Sequence, residues 1–303
     1  MRTLACLIVA AVFAVASISG ARAAPFAYGL AYDELYRVDL GTRDATYVGA
    51  AGLYAGRALA AFSGLTYGPN GDLYAVAGTH KALVRINSTT GLGSFVGAFG
   101  LAGQGSGQFD ALDLSMTYGC DGNFWLTSAI KRDLWKVDAS SAVITLVGST
   151  GKQISGLTMR NGRLYGTGIG ADQGLYVIDT LTAAATRVGA LGLSAPWVEP
   201  DFGAEGTLWA TLSYNPPENR EWSDLARIDV ATGVATNLGP ITGPERLRYF
   251  SMKGLAVATP TCQPAPGGGT PTVASLPLQA PWALLLLLLG VLAIGSRHLR
   301  RTH

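Results

Sequence analysis

Histidine, cysteine and charged residues are scarce in this chain, and their scarcity excludes several classes of protein. Its 303 residues include 3 histidines, 3 cysteines and 14% charged residues, whereas an average soluble domain has about 25% charge. Coiled coils, helical repeat arrays and charged disordered chains need far more charge than this. Glycine is abundant at 40 residues, and the length allows one or two domains or a single large all-β unit with appendages.

The scarcity of histidine also limits the chemistry that the chain can perform. His80 is the only histidine between the two ends of the sequence, so a zinc site built from nitrogen and sulfur ligands is excluded. His80 lies in a turn-like segment with no residue nearby that could orient it as the base of a Ser-His-Asp triad. No Gly-x-Ser-x-Gly elbow and no phosphate-binding loop occurs. We therefore predict no catalytic residue.

The small excess of positive charge belongs to the ends of the chain. Five arginines lie near the termini, at positions 2, 22, 297, 300 and 301. Removing them from the 22 basic residues leaves 17 basic against 20 acidic residues in the middle. A nucleic-acid partner is not expected, because phosphate binding needs a basic face.

The N-terminal 23 residues have the pattern of a secretory signal peptide. Arg2 provides the positive start, Leu4 to Ile18 form an apolar stretch, and Ala21-Arg22-Ala23 is a small-x-small cleavage site. The sequence therefore predicts an exported protein.

The C-terminal region predicts a spacer followed by a membrane helix. Residues 259–275 are rich in Pro, Gly and Thr, a composition typical of extended linkers. Within residues 276–303, an uninterrupted apolar run extends from Ala283 to Ile294 and an arginine cluster follows it. From Leu276 onwards, the segment has about the twenty residues that a spanning helix needs.

This tail resembles the C-terminal sorting signals known as PEP-CTERM and IPTL-CTERM. These signals have a proline-containing motif, a short membrane helix and a final arginine cluster, and here Leu276-Pro277-Leu278, Pro281-Trp282 and Arg297 to Arg301 occupy those places. The resemblance covers about the last 30 residues and lacks the Pro-Glu-Pro triplet. It implies recognition by a membrane sorting protease of the exosortase class, and release or transfer to the cell surface. The alternative is a permanent single-span anchor.

A fivefold repeat occupies the region between the two ends. A Leu-x-x-apolar-Asp/Asn block recurs, and an apolar-Gly pair always begins nine positions after its last residue. The blocks end at Asp39, Asn87, Asp138, Asp179 and Asp229. Each block therefore predicts a strand, a tight turn and a second strand.

A second hairpin precedes most of these blocks. Asn70-Gly71, Asp121-Gly122 and Asn161-Gly162 supply the residues that a two-residue hairpin turn requires. Units of four antiparallel strands every 41 to 51 residues are typical of a β-propeller. We predict an all-β propeller over residues 24–258 with five blades, or with six if residues 98–112 contain further strands. The segment from Ser251 to Ala256 is predicted to close the ring by completing blade 1.

Two features of the repeats have structural explanations. An aspartate at the end of a strand can cap the following turn through its own backbone, so we assign the repeated Asp39, Asp138, Asp179 and Asp229 to turns and not to calcium. The repeated aromatics are assigned to packing between blades: Tyr74, Trp125, Tyr165 and Trp209.

The mature chain has two cysteines, Cys120 and Cys262. Both follow predicted innermost strands, so both belong on one face of the propeller. In an exported protein such a pair can oxidise. We predict a disulfide that pins the closing strand, with two unpaired thiols as the alternative.

Loops that break the repeat are predicted to form a binding face, because propeller function lies in such loops. The candidates are Arg57, Asp113, Trp197, Tyr214, Trp222, Arg246 and Arg248. Asp113, Glu199 and Asp201 could together bind calcium through oxygen ligands. The favoured alternative is a solvated rim on which Glu199 and Asp201 pair with Arg246 and Arg248.

Two functions remain open. In the first, the propeller is a non-enzymatic surface module that binds a glycan, a peptide or a matrix component, without a cofactor. In the second, it is a metal-dependent hydrolase of the lactonase kind, with calcium held by the three carboxylates near the axis.

Overall fold

The structure is a computed structural model that describes residues 25–103, 112–214, 221–260 and Cys262. These residues belong to one compact unit spanning Met1–Gln263. Among them no helix has the length and apolar character that a membrane crossing needs. The predicted signal peptide over 1–23 and the predicted tail over 276–303 lie outside the described residues.

Five four-stranded antiparallel sheets form the unit, and each sheet is one blade. Blade 1 contains, from the inside outwards, β22 (Met252–Ala256), β1 (Phe26–Ala31), β2 (Glu34–Asp39) and β3 (Ala45–Ala50). Blade 2 contains β6 (Phe62–Tyr67), β7 (Leu73–Ala77), β8 (Ala82–Ile86) and β9 (Gly93–Ala98). Between these blades lies a short extra hairpin of β4 (Leu53–Tyr54) and β5 (Arg57–Ala58).

The other three blades follow the same order. Blade 3 contains β10 (Leu114–Tyr118), β11 (Asn123–Ser128), β12 (Asp133–Asp138) and β13 (Ile144–Ser149). Blade 4 contains β14 (Ile154–Arg160), β15 (Arg163–Gly168), β16 (Gly174–Ile178) and β17 (Ala185–Gly189). Blade 5 contains β18 (Trp197–Phe202), β19 (Leu208–Ser213), β20 (Ser223–Ile228) and β21 (Ala235–Pro240).

The innermost strands close a ring. Each of β22, β6, β10, β14 and β18 contacts the next, and β18 contacts β22 again. The last strand, β22, pairs antiparallel with β1 and so completes blade 1. The predicted five-bladed propeller and its closure by the C-terminal strand are confirmed. The alternative of six blades is wrong for the described residues, and positions 104–111 lie outside them.

The hydrophobic core lies between neighbouring blades. One cluster joins Trp209 and Leu225 of blade 5 to Tyr36 and Val38 of blade 1. Another joins Trp125 of blade 3 to residues of blade 4. Tyr74 of blade 2 packs within a cluster of blade 3 residues, and Tyr165 of blade 4 within one of blade 5. The repeated aromatics therefore pack between blades, as predicted.

The repeated aspartates cap the turns between the third and fourth strands. Asp39 accepts hydrogen bonds from the backbone N–H groups of Gly41 and Thr42, both at 2.8 Å. The same pair of bonds recurs at Asn87, Asp138, Asp179 and Asp229. This confirms their structural role.

The prediction of two-residue turns holds in only one blade. In blade 4, Arg160 pairs with Arg163, and Asn161 and Gly162 both have positive φ. In blades 2 and 3 the paired residues are Tyr67 with Leu73 and Tyr118 with Phe124. Their connections are therefore longer, because the strands separate before the Asn-Gly or Asp-Gly pair.

A disulfide joins Cys120 and Cys262, with 5.4 Å between their Cα atoms. Cys120 follows β10 in blade 3, whereas Cys262 follows the closing strand β22. The bridge therefore ties the C-terminal end of the ring to a blade that is distant in sequence. Such a link restricts the unfolded chain strongly, because the two residues are 142 positions apart.

Candidate functional site

The innermost strands surround a cavity at the end of the ring where they begin. This cavity, called the axial pocket below, has a volume of about 710 Å³, within the range of small-molecule sites. Its charged lining residues are Arg57, Lys81, Asp113, Glu199 and Lys253. Its aromatic lining residues are Tyr32, Phe62, Trp197 and Phe250. Loops that enter innermost strands and loops that join the second and third strands of a blade both contribute, as predicted.

Glu199 extends across the interior of the ring. It lies on β18, yet its Oε2 atom accepts a hydrogen bond of 3.0 Å from the Ser115 hydroxyl on β10, two strands away. The same Ser115 oxygen accepts the backbone N–H of Leu157 at 3.1 Å. Burial raises the pKa of Glu199 well above its usual value, and the Ser115 hydrogen bond and the charge of Lys253 offset this only in part. The carboxyl group therefore keeps its proton to higher pH than an exposed glutamate.

Lys253 places a positive charge inside the same pocket. Its Nζ atom lies 3.6 Å from the ring centroid of Trp197, a cation–π contact. Burial lowers the pKa of Lys253, whereas Asp113 and Glu199 raise it. Within the described part of the chain, no carboxylate lies within 4 Å of this ammonium group.

Trp197 presents an unused hydrogen-bond donor. Its indole Nε1 atom is buried and has no hydrogen-bond partner among the described residues. Buried donors without partners are rare in folded proteins and need an explanation. The indole Nε1 atom of Trp125, a residue that packs between blades, is in the same state, so this feature is not specific to the axial pocket.

Asp201 has a different role from Glu199, although the two residues are close in sequence. It accepts the Thr158 hydroxyl at 3.0 Å and the backbone N–H of Val257 at 2.7 Å. Burial raises its pKa to about 7, and these hydrogen bonds oppose the rise. Asp201 does not line the axial pocket. It holds the chain that follows β22.

The predicted rim pairing of Glu199 and Asp201 with Arg246 and Arg248 is wrong. Arg246 forms ion pairs with Asp33 at 2.6 Å and with Glu34 at 3.1 Å, and Arg248 bonds Glu221 at 3.1 Å. The physical reason is that residues 197–202 form the innermost strand β18 and not a loop. Both carboxyl groups are therefore buried within the ring, out of reach of the two arginines.

The other predicted binding-face residues divide into two groups. Arg57, Asp113 and Trp197 line the axial pocket. Arg246 does not line the pocket, but its guanidinium group lies 4.9 Å from the ring centroid of the lining residue Phe250. Tyr214, Trp222 and Arg248 do not line the pocket; the backbone N–H of Tyr214 donates to the Trp222 carbonyl at 2.9 Å.

Of the predicted calcium ligands, Asp113 and Glu199 line one pocket and Asp201 does not. The described ranges contain no group of three or more His, Cys, Asp or Glu side chains suited to a metal ion. A calcium ion at this place stays a prediction.

Sequence reasoning missed Lys253, Lys81, Tyr32, Phe62 and Phe250 as lining residues. One of them, Lys253, is recognisable in the sequence. Lys253 stands before a Gly-Leu pair, where the innermost strands of blades 2 and 4 have Ser63 and Ser155. Aligning the innermost strands would have shown this lysine as a departure from the repeat.

Comparisons with known proteins find distant structural similarities. No known protein family and no curated protein matches the chain. Among solved structures, a catalytically inactive virginiamycin B lyase from Staphylococcus aureus with quinupristin is 17% identical, with a TM-score of 0.40; the match covers 74% of this chain and 72% of that one. A protein of unknown function from Bacteroides thetaiotaomicron is 15% identical, with a TM-score of 0.46 and coverage of 61% and 53%.

Hydrazine synthase from Kuenenia stuttgartiensis is 18% identical, with a TM-score of 0.39 and coverage of 58% and 48%. The chain thus spans about half the length of the last two proteins. Similarities at this level carry no argument about function, and the fold is evident from the sheet topology itself.

Proposed function

We propose that this chain is a non-enzymatic β-propeller that binds a glycan in its axial pocket. The observation that carries the proposal is a pocket of about 710 Å³ whose lining combines aromatic rings, among them that of Trp197, with charged and hydroxyl-bearing side chains. A cavity of this size with a few convergent polar groups is typical of small-molecule sites.

The composition of the pocket lining supports a saccharide. Aromatic rings offer apolar faces to the C–H groups of a sugar, and charged side chains offer donors and acceptors to its hydroxyl groups. Tyr32 and Phe250 stack with 4.9 Å between their ring centroids and form one aromatic wall. Three hydroxyl-bearing residues of the lining, Ser63, Ser155 and Ser251, belong to three different blades or their entry loops.

We also propose that the protein is exported and then anchored in the membrane or sorted to the cell surface through its C-terminal segment. The support is the signal-like N-terminus, the apolar tail with its arginine cluster and the Cys120–Cys262 disulfide. Disulfides persist in oxidising compartments outside the cytoplasm.

The lactonase-like alternative has less support. It requires calcium next to Glu199, but Lys253 already brings a positive charge to this part of the pocket. Burial also favours the protonated form of Glu199, which is a poor ligand for a cation.

Calorimetric titration of the full-length chain with a panel of neutral and acidic oligosaccharides tests the glycan proposal. We expect at least one saccharide to bind, and Trp197→Phe to weaken its binding about three- to tenfold, because the smaller ring offers less aromatic surface to the sugar. Trp222→Phe is the matched control, since Trp222 lies outside the pocket lining, and should leave the affinity unchanged. Equal affinity of the Trp197→Phe variant and the parent would refute the role given to the indole.

A further inference from the structure

Cationic side chains reach the axial pocket from different parts of the ring. Among the described residues, Arg57, Lys81 and Lys253 line it together with two acids, Asp113 and Glu199. Arg57 and Lys253 form no ion pair within the described ranges, although acidic residues outnumber basic ones by 20 to 17 in the central part of the sequence.

Lys253 is the cation whose surroundings are least balanced. Lys253 is half-buried, its ammonium group packs against the ring of Trp197, and no described carboxylate lies within 4 Å of that group. A buried charge is costly unless an opposite charge or several hydrogen bonds compensate it. The ring of Trp197 provides part of this compensation, and an anion in the pocket would provide the rest.

The two acids of the pocket do not remove this need. The Glu199 carboxyl group accepts a hydrogen bond from Ser115. Its burial favours the neutral form, which does not attract the Lys253 ammonium group as a charge would. Asp113 lines the pocket with φ of +44° at the entrance to β10. It influences Lys253 through space without forming an ion pair within 4 Å.

A second cation reaches the pocket from outside the repeat. Arg57 belongs to the β4–β5 hairpin, which lies between blades 1 and 2, and the other blade junctions in the described ranges have no counterpart of it. Arg57 is exposed, and within those ranges it forms no ion pair. The chain thus adds a guanidinium group to the lining through an insertion that the blade architecture does not require.

We infer that the axial pocket selects a saccharide that carries a negative charge, and that Lys253 and Arg57 bind the anionic group while the ring of Trp197 packs against the sugar. This inference rests on the proposed glycan binding and specifies the ligand class. A uronate carboxylate and a sulfate ester share the required chemistry.

The test uses the full-length chain and matched trisaccharides in calorimetric titrations. Trimers of galactose, glucose and mannose are compared with the corresponding uronic acid trimers and with their 6-sulfated forms. We expect the charged members to bind about tenfold tighter than the neutral ones or better, because hydrogen bonds between charged groups are roughly twice as strong as neutral ones. The better of the uronate and sulfate arms identifies the source of the charge.

Variants of Lys253 locate the preference. Lys253→Met keeps the apolar stem and should reduce the preference for charged trimers, with Arg57 retaining the remainder, whereas Lys253→Arg keeps the charge and should retain most of it. Arg248→Gln is the control for general loss of positive charge, since Arg248 does not line the pocket, and should change nothing. Circular dichroism verifies that every variant is folded.

Each outcome decides the inference. Equal affinity for charged and neutral members of a pair, or tighter binding of the neutral member, would overturn it while glycan binding stands. A charge preference that is undiminished in Lys253→Met would overturn the role of Lys253. If no trisaccharide of any kind binds, the proposed function itself fails and the inference fails with it.

Discussion

At the scale of single residues, two buried carboxyl groups on one strand differ in what they contact. Glu199 faces the axial pocket through its contact with Ser115, whereas Asp201 binds the backbone N–H of Val257 beyond the closing strand. Period-two alternation in a strand places both residues on the same side of β18. Their different positions along the ring axis therefore place one carboxyl group in the pocket lining and the other against the backbone after the closing strand.

The raised pKa of Asp201 predicts that folding stability falls as the pH rises. The pKa is 3.8 in the unfolded chain and about 7 in the folded protein, so the folded state binds the proton more tightly. The contribution of Asp201 to the free energy of unfolding is fully present below about pH 4 and is lost as the pH rises to about 7. The decrease amounts to about 4 kcal/mol for a shift of this size. Asp201→Asn should flatten it, as urea unfolding at several pH values would show.

Glu199 contributes to the same slope, since its pKa is raised as well, so the slope of the variant is compared with that of the parent and not with zero. Asp138 acts in the opposite direction, because hydrogen bonds from Ser140 and Ser141 lower its pKa to about 2. Its contribution to stability is lost only at more acidic pH. An Asp201→Asn variant with the full slope of the parent would contradict the assignment.

The sequence singled out Glu199 and Asp201 because they break the repeat, but it assigned them to the wrong surroundings. A single strand shows which residues share a side and does not show which residues lie opposite across a ring. The partner of Glu199 is Ser115, 84 positions away. Lys253 was missed although the closing strand was predicted, because this strand keeps the Gly-Leu pair of the repeat and departs from it at this position.

At the scale of the strands, the glycine of each apolar-Gly pair occupies the same position in every blade. In every blade it pairs with the leucine that opens the block, as Leu35↔Gly49, Leu83↔Gly97, Leu134↔Gly148, Leu175↔Gly189 and Leu225↔Gly239. The register shifts directly after each of these pairs, as it does at a β-bulge. In four blades a Cβ atom at this glycine would collide with a backbone carbonyl in the turn of the next blade. The invariant spacing thus allows neighbouring blades to approach closely.

Gly189→Ala should therefore destabilise the propeller by about 2–3 kcal/mol, because the new Cβ would overlap the carbonyl oxygen of Thr232 and force blades 4 and 5 apart. Thermal or urea unfolding measures the loss. Gly122→Ala is the control: it has φ of +80° and no heavy atom within 4 Å of the added Cβ, so it should cost about 1–2 kcal/mol from backbone strain alone. Equal losses of stability in the two variants would show that the overlap with Thr232 does not contribute.

Local periodicity explains why the strands were predictable. Blocks, turn aspartates and glycines repeat at short range, so the pattern alone indicates four strands in each blade. The β4–β5 hairpin was not predicted, because it occurs once and its strands have two residues each. Arg57 was recognised as a loop residue of the binding face, but its position on a hairpin was not.

At the scale of the whole molecule, ring closure depends on β22 and on the disulfide that follows it. The strand contributes Met252 and Leu255 to the cluster between blades 5 and 1. Asp201 and the Cys120–Cys262 bridge both hold the chain directly after this strand. Closure by the last strand joins residues that are far apart in sequence, and the bridge reduces the entropy of opening the ring.

Replacing both cysteines by serine, or reducing the bridge, should lower the free energy of unfolding by about 2–5 kcal/mol, because the bridge closes a long loop in the unfolded chain. Unfolding of the oxidised and reduced parent, and of the double variant, measures the effect. The reduced parent and the double variant should agree. A double variant as stable as the oxidised protein would show that the ring needs no such link.

The most direct measurement of the central claim follows the indole N–H of Trp197 during ligand binding. The full-length chain has six tryptophans, and nitrogen-15 labelling of their indoles gives one signal each, with Trp197→Phe identifying the signal of Trp197. On addition of the tightest-binding trisaccharide, we expect the Trp197 signal to move and that of Trp209 to stay in place, since Trp209 is buried between blades and donates to Glu205. A saccharide that binds without moving the Trp197 signal would contradict binding in the axial pocket.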